Sequence, residues 1–322
     1  MLAQQLVTLD GPSGLRLSDI PEPQLGAGQV LVDLDAAGVA YPDLLQSTGS
    51  YQVTRSLPCV LGVEGAGVVR QAGPDTEMSA GDRVAVLNFD GTWQSTVAVP
   101  AEHVFALPET VTTSAAAGFL MNYSTCWFAL QNRARALPGE TVLVHGAGGG
   151  LGIAGLQVAK ALGLRSIAVA SDPRKSTAAI DNGADHVVQV DGFKSQVLEL
   201  TDGDGVDIVL DPVGGDRFTD SVRALRSGGR LVVLGFVGGE IPTVRVNRLL
   251  LTNTAVVGAG WGEFVRTRPD YLKQQWSDMR TALVDGSLRV SEPQLFALAD
   301  AQEALRSIQS RASVGKLALA LR

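Results

Sequence analysis

Residues 141–152 read Thr-Val-Leu-Val-His-Gly-Ala-Gly-Gly-Gly-Leu-Gly, a run of β-forming residues that ends in a glycine-rich turn. In the segment that follows, 153–162, apolar residues recur at the three-to-four spacing of one helical face. A strand, a glycine turn and a helix in this order predict a phosphate site. The glycines let backbone N–H groups approach a pyrophosphate, and the helix dipole favours its negative charge.

The spacing of this turn is Ala147-x-Gly149-x-x-Gly152 with an extra Gly146, rather than a strict G-x-G-x-x-G. The alternative is a loop whose glycines serve only tight packing, but the strand–turn–helix context favours the phosphate site. We therefore expect a dinucleotide to be bound by residues of the turn and of the helix start, namely Gly146, Ala147, Gly149, Gly150, Leu151 and Gly152.

Length, composition and charge indicate what kind of protein this is and which partners are disfavoured. The chain has 322 residues, which favours two domains, and it is 45% hydrophobic and 18% charged, as is typical of a globular protein. The net charge of -7 argues against nucleic acid as a partner. No apolar run reaches the length of a membrane-spanning helix, so we expect no membrane partner.

Cysteine usage and the first residues bear on localisation. Cys59 and Cys126 have neither metal-binding nor disulfide spacing, which is consistent with a reducing compartment. The first residues, 1–5, contain no basic segment that leads into an apolar stretch, so we expect no signal peptide. The sequence therefore predicts a cytoplasmic protein.

The pattern of predicted strands and helices changes twice along the chain. Up to about residue 115, short alternating runs separated by turn residues predict a compact β domain. From 119 to 257, strands alternate with helices, which predicts a parallel sheet. The last segment is mixed, with a helix at 299–307 and a final strand at 316–320. The strands that we expect in the parallel sheet are 141–145, 166–170, 187–190, 206–210, 230–235 and 254–258.

Motifs along most of the chain carry a family resemblance. They are 37–45 (AGVAYPDLL), 61–69 (LGVEGAGVV), 81–84 (GDRV), 124–130 (STCWFAL), the glycine turn, 182–187 (NGADHV) and Arg311-x-x-x-Gly315-Lys316. In this order they resemble the zinc-free quinone oxidoreductase branch of the medium-chain dehydrogenases/reductases. The resemblance implies an α/β fold in which a Rossmann doubly wound parallel sheet, 119–258, is inserted into a GroES-like, mainly β catalytic domain, 1–118 and 259–322.

The resemblance also addresses metal binding. Zinc-dependent relatives place a cysteine where Ala40 stands and a histidine where Val63 stands, and neither side chain here can ligate a metal. With two cysteines in all, a structural site of four thiolates is not possible either. We expect no zinc, and we expect Glu64 to have a structural role that anchors a nearby basic group.

Cofactor choice depends on the end of the second strand of the parallel sheet. No acid stands at Ala170, where a carboxylate would bind the ribose hydroxyls of NAD. Asp172 argues for NAD, but a proline follows it, so its carboxylate could cap the next helix instead. By the resemblance, Lys175 and Arg311 hold the 2′-phosphate of NADPH, and Ser171 could add a hydrogen bond. The alternative makes Arg174 and Lys175 a solvated helix start. We expect NADPH (NADP) as the cofactor.

Residues beyond the turn complete the predicted cofactor site. Val213 follows the fourth strand of this sheet, and Gly235, Phe236 and Val237 follow the fifth, so both turns should face the nicotinamide and its ribose. Thr125 matches the family's nicotinamide-contacting threonine. For each of these positions, simple packing is the alternative.

The substrate side follows from the resemblance alone. It implies that a cleft is lined by six residues: Ala40, Tyr41, Leu45, Tyr51, Asn122 and Trp261. Many quinone oxidoreductases carry an asparagine where Ala40 stands, so Asn122 or Tyr51 would have to orient the substrate carbonyl. The aromatic side chains of Tyr41 and Trp261 would give flat walls for a planar ring or enone, or they belong to the core.

No residue is assigned as a catalytic acid. The histidines are isolated, with His103 in a predicted surface loop, His186 at the start of a strand and His145 packed at the glycine turn. A quinone needs no enzyme acid, because water can protonate the hydroquinone anion that hydride transfer produces. Catalysis would then rest on proximity and alignment.

The sequence is compatible with three functions. The first is an NADPH-dependent reductase of a small planar quinone, which we favour. The second is a reductase of α,β-unsaturated ketones, aldehydes or enoyl thioesters, and the third is a non-catalytic NADPH-binding sensor or structural protein. The strand 254–258 should lie at a sheet edge, and in the family two such edges join, so we expect a homodimer through it.

Overall fold

The computed structural model describes residues 1–74 and 76–322. Contacts within the chain divide it into two compact units. The first unit comprises Met1–Met121 and Val290–Arg322, and the second comprises Asn122–Arg289.

The amino-terminal part of the first unit is dominated by short strands. These are β1 (Leu2–Leu6), β2 (Leu15–Asp19), β3 (Gln29–Val39), β4 (Cys59–Val60), β5 (Glu64–Ala72), β6 (Arg83–Leu87), β7 (Thr96–Pro100) and β8 (Val104–Ala106). Helix α1 (Tyr41–Ser47) follows β3, and α2 (Thr113–Ala116) follows β8. Short 3₁₀ helices lie at Gly11–Gly14 and Ala101–His103.

The second unit alternates strands and helices. It is entered through α3 (Leu120–Trp127), which continues as a π-helical segment, Phe128–Arg133. The elements that follow are β9 (Thr141–Val144), α4 (Gly150–Ala161), β10 (Arg165–Ala170), α5 (Pro173–Asp181), β11 (His186–Gln189), α6 (Phe193–Leu200), β12 (Val206–Asp211), a 3₁₀ turn (Gly215–Arg217), α7 (Phe218–Arg223), β13 (Leu225–Val233), α8 (Val246–Thr252), β14 (Ala255–Gly258), α9 (Trp261–Thr267) and α10 (Asp270–Val284).

The carboxyl-terminal segment returns to the first unit. It contains β15 (Gln294–Ala297), a 3₁₀ turn (Leu298–Asp300), α11 (Ala301–Gln309) and β16 (Leu317–Ala320). There β16 pairs antiparallel with β3, and the sheet runs in the order β15-β16-β3-β5-β6-β8, with β7 also on β3. A smaller sheet has the order β2-β1-β4. Buried valines and leucines of β3, β5, β6 and β7 form one core of this unit.

The sheet of the second unit is parallel and has the order β11-β10-β9-β12-β13-β14. The order reverses between β9 and β12, where ligands bind outside the carboxyl ends of the strands in doubly wound sheets. The fold prediction, a Rossmann sheet inserted into a mainly β domain, is confirmed. Strand β14 is the last strand of this order and pairs with β13.

Two predicted boundaries differ from the observed division: the second unit begins at Asn122 rather than at 119, and it ends at Arg289 rather than at 258. We assigned 259–289 to the β-rich domain because the parallel sheet ends at 258, yet this segment belongs to the second unit. Aromatic packing explains the difference. The Phe264 ring lies 4.7 Å from that of Phe128 and 5.0 Å from that of Tyr271. The hydroxyl of Tyr271 also donates to the side-chain oxygen of Asn132 at 2.5 Å.

Among the described residues, no helix combines the length and the apolar character that crossing a membrane requires.

Candidate functional site

The glycine turn brings the start of α4 against the end of β9. Gly146 has a φ of +61°, which favours glycine, and its carbonyl accepts the Gly149 N–H at 3.0 Å. A Cβ at Gly152 would lie 2.2 Å from the Gly146 carbonyl oxygen and 2.6 Å from the Cα of Ala147. Only glycine therefore fits at position 152 without moving the backbone.

The helix start leaves donors for an anion. Gly149 is the N-cap of α4 and has no side chain to accept a hydrogen bond. The N–H groups of Gly150, Leu151 and Gly152 precede the first intrahelical bond, which Ile153 donates to Gly149 at 2.9 Å. A backbone this close-packed, with unpaired donors at a helix N-terminus, fits the pyrophosphate of a dinucleotide.

The end of β10 resolves the role of Asp172. Its Oδ1 accepts the backbone N–H of Lys175 at 3.1 Å, so Asp172 caps α5, with Pro173 at the first helical position. This hydrogen bond holds the pKa of Asp172 below its usual range. The carboxylate is thus engaged at a helix start, as the capping alternative predicted.

Lys175 and Ser171 lie together beside the glycine turn. The Lys175 Nζ is 3.3 Å from the Ser171 Oγ and 3.7 Å from the Asp172 Oδ2. A Cβ at Gly148 would meet the Lys175 Cβ at 2.4 Å, so the lysine stem packs on the turn. Arg311, the other predicted phosphate ligand, belongs to the first unit, where it has a φ of +58° after α11. Its role stays a prediction.

The two turns after β12 and β13 are bonded to each other. The Asp211 Oδ1 accepts the N–H groups of Val213 at 2.8 Å and Gly214 at 2.9 Å. Val237 donates to the Pro212 carbonyl at 3.0 Å. Gly214 is also crowded, since a Cβ there would lie 2.9 Å from the ring of Phe236.

These contacts place the predicted residues of both turns side by side at the carboxyl ends of their strands. Gly235 precedes Phe236 there, close to the Pro212 carbonyl. Val213 is buried and Phe236 is 36% exposed.

His145 is a packed residue of this region. It is fully buried, its Nε2 lies 2.8 Å from the Ser221 Oγ, and its ring meets that of Phe193 edge-on at 4.9 Å. Burial lowers the pKa of His145 to about 4, so the ring is neutral at physiological pH. The packed role that the sequence suggested for His145 is confirmed, while His186 begins β11, as expected.

Three further candidates lie in the second unit. Asn122 and Thr125 are partly buried in α3. Trp261 begins α9 and is only 3% exposed, and its Nε1 donates to the Gln275 Oε1 at 2.9 Å. The Gln275 amide in turn donates to the Ser124 carbonyl at 2.8 Å. This is the packing that we gave as the alternative to a substrate wall for Trp261.

The remaining candidates gather around α1 in the first unit. Ala40 precedes the helix, Tyr41 begins it and Leu45 lies within it. Tyr51 follows in the loop after α1 and is half-buried. Burial raises the pKa of the Tyr51 phenol, and the negative charge of Asp43 adds to the effect.

The largely buried charged residues Glu64, Lys316 and Asp43 form a cluster near the start of α1. The Lys316 Nζ lies 2.6 Å from the Glu64 Oε1, and Glu64 is 1% exposed. The prediction that Glu64 anchors a basic group is confirmed. Asp43, fully buried, accepts the N–H of Ala40 at 2.7 Å and that of Gly62 at 3.2 Å. Burial raises the pKa of Asp43 to about 7.

Asp43 was not among the site residues expected from the sequence. A signal exists, since an acid three residues after a helix N-cap commonly returns to bond the N-cap N–H. Its second bond, to Gly62, joins residues 19 positions apart and has no local signal.

Within the described ranges, 1–74 and 76–322, no group of three or more His, Cys, Asp and Glu side chains is placed to hold a metal ion. The positions of Ala40 and Val63 present only methyl groups.

Two family models match the chain. Residues 26–109 match the alcohol dehydrogenase GroES-like domain, and residues 150–279 match the zinc-binding dehydrogenase family. Among curated proteins, quinone oxidoreductase-like protein 2 of Bos taurus is 33% identical over 299 residues, which cover 91% of this chain and 85% of that protein. The probable quinone oxidoreductase of Schizosaccharomyces pombe is 32% identical over 322 residues, 97% of this chain and 95% of that one.

Solved structures agree over the whole length. A probable oxidoreductase from Mycobacterium abscessus has a TM-score of 0.90 and 37% identity and covers 99% of this chain and 98% of its own. The quinone oxidoreductase of Thermus thermophilus, solved also in complex with NADPH, has a TM-score of 0.87 and 32% identity over 100% of both chains. On this identity and coverage, the chain belongs to the zinc-free quinone oxidoreductase branch of the medium-chain dehydrogenase/reductase superfamily.

Proposed function

We propose that this protein is an oxidoreductase that transfers a hydride from NADPH to a small planar quinone without the help of a metal. The observation that carries the proposal is the arrangement around the glycine turn. The turn offers unpaired N–H groups to a pyrophosphate, and the cation of Lys175 lies beside it with Ser171, while Asp172 is engaged at the start of α5.

Different residues of the second unit are proposed to bind different parts of NADPH. The turn and the start of α4, through Gly150, Leu151 and Gly152, bind the pyrophosphate. Lys175 and Ser171 bind the 2′-phosphate, because an ammonium and a hydroxyl suit a phosphate better than ribose hydroxyls. Arg311 of the first unit is the proposed second cation.

The nicotinamide end is proposed to lie over the bonded turns after β12 and β13. Val213, Gly235, Phe236 and Val237 supply its wall, and Thr125 contacts the ring. NADPH supplies the hydride when bound, and the protein contributes alignment and the exclusion of water.

The absence of a metal from the proposed reaction rests on side-chain chemistry. Ala40 and Val63 cannot ligate a metal. The neighbouring acid, Glu64, is held by Lys316 at 2.6 Å and by the Met121 N–H at 2.8 Å, so both of its oxygens are engaged. Activation of an alcohol as a metal-bound alkoxide, the first step of zinc-dependent oxidation, therefore has no support in these residues.

Protonation is proposed to need no dedicated side chain. Burial raises the pKa of the Tyr51 phenol and the charge of Asp43 adds to the effect, so this phenol is a weaker proton donor than a free tyrosine. The proposed site places Ala40, Tyr41, Leu45, Tyr51 and Asn122 around the substrate, where Tyr51 and Asn122 orient the carbonyl.

A homodimer is the proposed assembly. β14 ends the sheet order, and residues beside it on α8 expose apolar side chains: Val246 is 72% exposed and Leu250 and Leu251 are each 77% exposed. An apolar edge of this kind favours pairing with another chain. We propose that two copies join through 254–258 and that α8 contributes to the contact.

The test is steady-state oxidation of NADPH and NADH with a panel of quinones and enones, using wild type and Lys175→Ala. We expect quinone turnover with a preference for NADPH. A charge-assisted bond to phosphate contributes on the order of 1.5–3 kcal/mol. Lys175→Ala should therefore weaken NADPH binding by about 10- to 150-fold, with NADH binding unchanged. Lys194→Ala, which removes a partly exposed lysine of α6, is the matched control.

Other outcomes would select the alternatives. Faster turnover of enones than of any quinone would favour the activated-alkene reductase. Tight NADPH binding without turnover of either class would favour a sensor or structural protein. Equal affinity of the wild type for NADPH and NADH would overturn the cofactor proposal.

A further inference from the structure

The ion pair between Glu64 and Lys316 lies in a space that two glycines keep open. A Cβ at Gly38 would lie 2.7 Å from both Cγ and Oε1 of Glu64. A Cβ at Gly118 would lie 2.5 Å from Cγ of Lys316. Both side chains are enclosed, with Glu64 1% and Lys316 10% exposed. Such a pair is costly to desolvate and is weak evidence for a purely stabilising role.

The cluster holds three backbone segments. The Glu64 Oε2 accepts the Met121 N–H at 2.8 Å, one residue before Asn122. Asp43 accepts the N–H of Ala40 and, from across the loop, that of Gly62. Each bond lies on or beside a position that we assign to the substrate site or that replaces a metal ligand of zinc-dependent relatives.

The charge of Lys316 is what makes this arrangement possible. Its ammonium neutralises Glu64 directly, and its field also acts on Asp43, whose pKa it lowers, while the charge of Glu64 raises it. Burial raises the pKa of Tyr51, and the charge of Asp43 adds to that rise. Without the ammonium, the charge of Glu64 would still raise the pKa of Asp43 and no charge of Lys316 would oppose it, so protonation of a carboxylate would be favoured.

We infer that Lys316 is a positioning residue: by holding Glu64, and through it the Met121 backbone, it fixes the polypeptide that carries the substrate-orienting side chains. Together with Asp43 it keeps the Ala40 and Gly62 backbones in place. It is not one of the residues that we propose to contact the cofactor or the substrate. The catalytic part of this inference rests on the proposed function, whereas the structural part does not.

The experiment compares Lys316→Met with Lys316→Arg, which keeps the charge, and with Lys194→Met, which removes the lysine of a partly exposed ion pair. We expect Lys316→Met to lower kcat/KM for the best acceptor about a hundredfold, as small misplacements of reacting groups do. NADPH affinity should stay within about twofold of wild type, since the Lys316 ammonium is held by Glu64 and is not one of the groups proposed to bind NADPH. Lys194→Met should leave kcat/KM unchanged.

Two further readouts separate positioning from a general loss of structure. Gly118→Ala, whose new methyl group would crowd the lysine stem, should give an intermediate loss. Amide NMR signals of Ala40, Gly62 and Met121 should shift in Lys316→Met while those of the second-unit sheet do not. The pKa of Asp43, followed by carboxyl NMR, should rise in this variant, because a nearby positive charge is lost.

Unchanged kcat/KM in Lys316→Met, or loss of NADPH affinity in parallel with kcat/KM, would overturn the inference. Should wild type reduce no acceptor, the proposed function fails, and the amide signals alone decide the structural part. Unmoved signals at Ala40 and Met121 would then contradict it. If Lys316→Met does not fold, Gly118→Ala and Lys316→Arg carry the same comparison.

Discussion

At Gly152, the absence of a Cβ allows α4 to approach the glycine turn closely. Replacement by alanine would put a methyl group 2.2 Å from the Gly146 carbonyl oxygen. The turn must then open, and the helix-start N–H groups move away from the pyrophosphate. We predict that Gly152→Ala weakens NADPH and NADH binding alike by at least about tenfold, measured by fluorescence titration.

The matched control for that variant is Gly262→Ala. Gly262 lies within α9, its φ is not positive and a Cβ there would meet no atom within 4 Å. Its cofactor affinity should equal that of wild type. Normal binding by Gly152→Ala would show that the turn does not hold the pyrophosphate.

Tyr51 and Asn122 test whether the substrate needs a proton from the protein. One lost hydrogen bond costs about 0.5–1.5 kcal/mol, or roughly two- to tenfold in rate. We predict losses of this size in Tyr51→Phe and Asn122→Ala, measured as single-turnover hydride transfer with deuterated NADPH. A loss above about a hundredfold in either, with cofactor affinity intact, is the signature of an obligatory acid. It would also favour enone reduction.

His145 gives a pH dependence of defined sign. Its pKa is about 4 in the folded protein, against an unfolded value of 6.5, so the unfolded chain binds more protons between these values. The stability that neutral His145 contributes is present above pH 6.5 and is lost as the pH falls towards 4.

We predict that the free energy of unfolding of wild type minus that of His145→Gln decreases by about 2–3 kcal/mol between pH 7 and pH 4, measured by urea denaturation. Taking the difference removes the opposite contribution of Asp43. Its raised pKa gives stability that is present below pH 3.8 and lost as the pH rises through about 7. A difference that does not vary with pH would mean that His145 is not held neutral.

Among the elements, the strands of the parallel sheet were the most predictable from sequence. Runs of β-forming apolar residues placed β9, β10 and β12 within one residue of their observed bounds. The fifth strand differs, since β13 begins at Leu225 rather than 230. Its pairing with β12 shifts register between Val206 and Ile208, and such an irregularity leaves no periodic signal.

The features of the site that could not be predicted from sequence are contacts between residues that are far apart along the chain. Lys316 meets Glu64 across 252 positions, and only folding reveals which acid it pairs with. The role of Asp172 was open for a different reason. A carboxylate before a proline can cap a helix or bind ribose, and the choice depends on side-chain rotation.

At the scale of the whole molecule, the apolar side chains on α8 require an explanation. We predict that wild type sediments as a dimer at micromolar concentration. Leu251→Glu should shift it towards monomer, because a carboxylate would be buried at the contact. Leu251 is 77% exposed, so the fold of one chain should not change. A wild-type monomer would count against the proposed contact, as would a dimer that Leu251→Glu does not weaken.

The most direct test of the whole proposal is single-turnover oxidation of NADPH by a quinone, with enzyme pretreated with a chelator and analysed for zinc. We predict full activity with no stoichiometric zinc, and a slower reaction when the transferred hydrogen of NADPH is replaced by deuterium. Loss of activity on chelation that zinc restores, or no oxidation with any quinone, would contradict metal-free hydride transfer to a quinone.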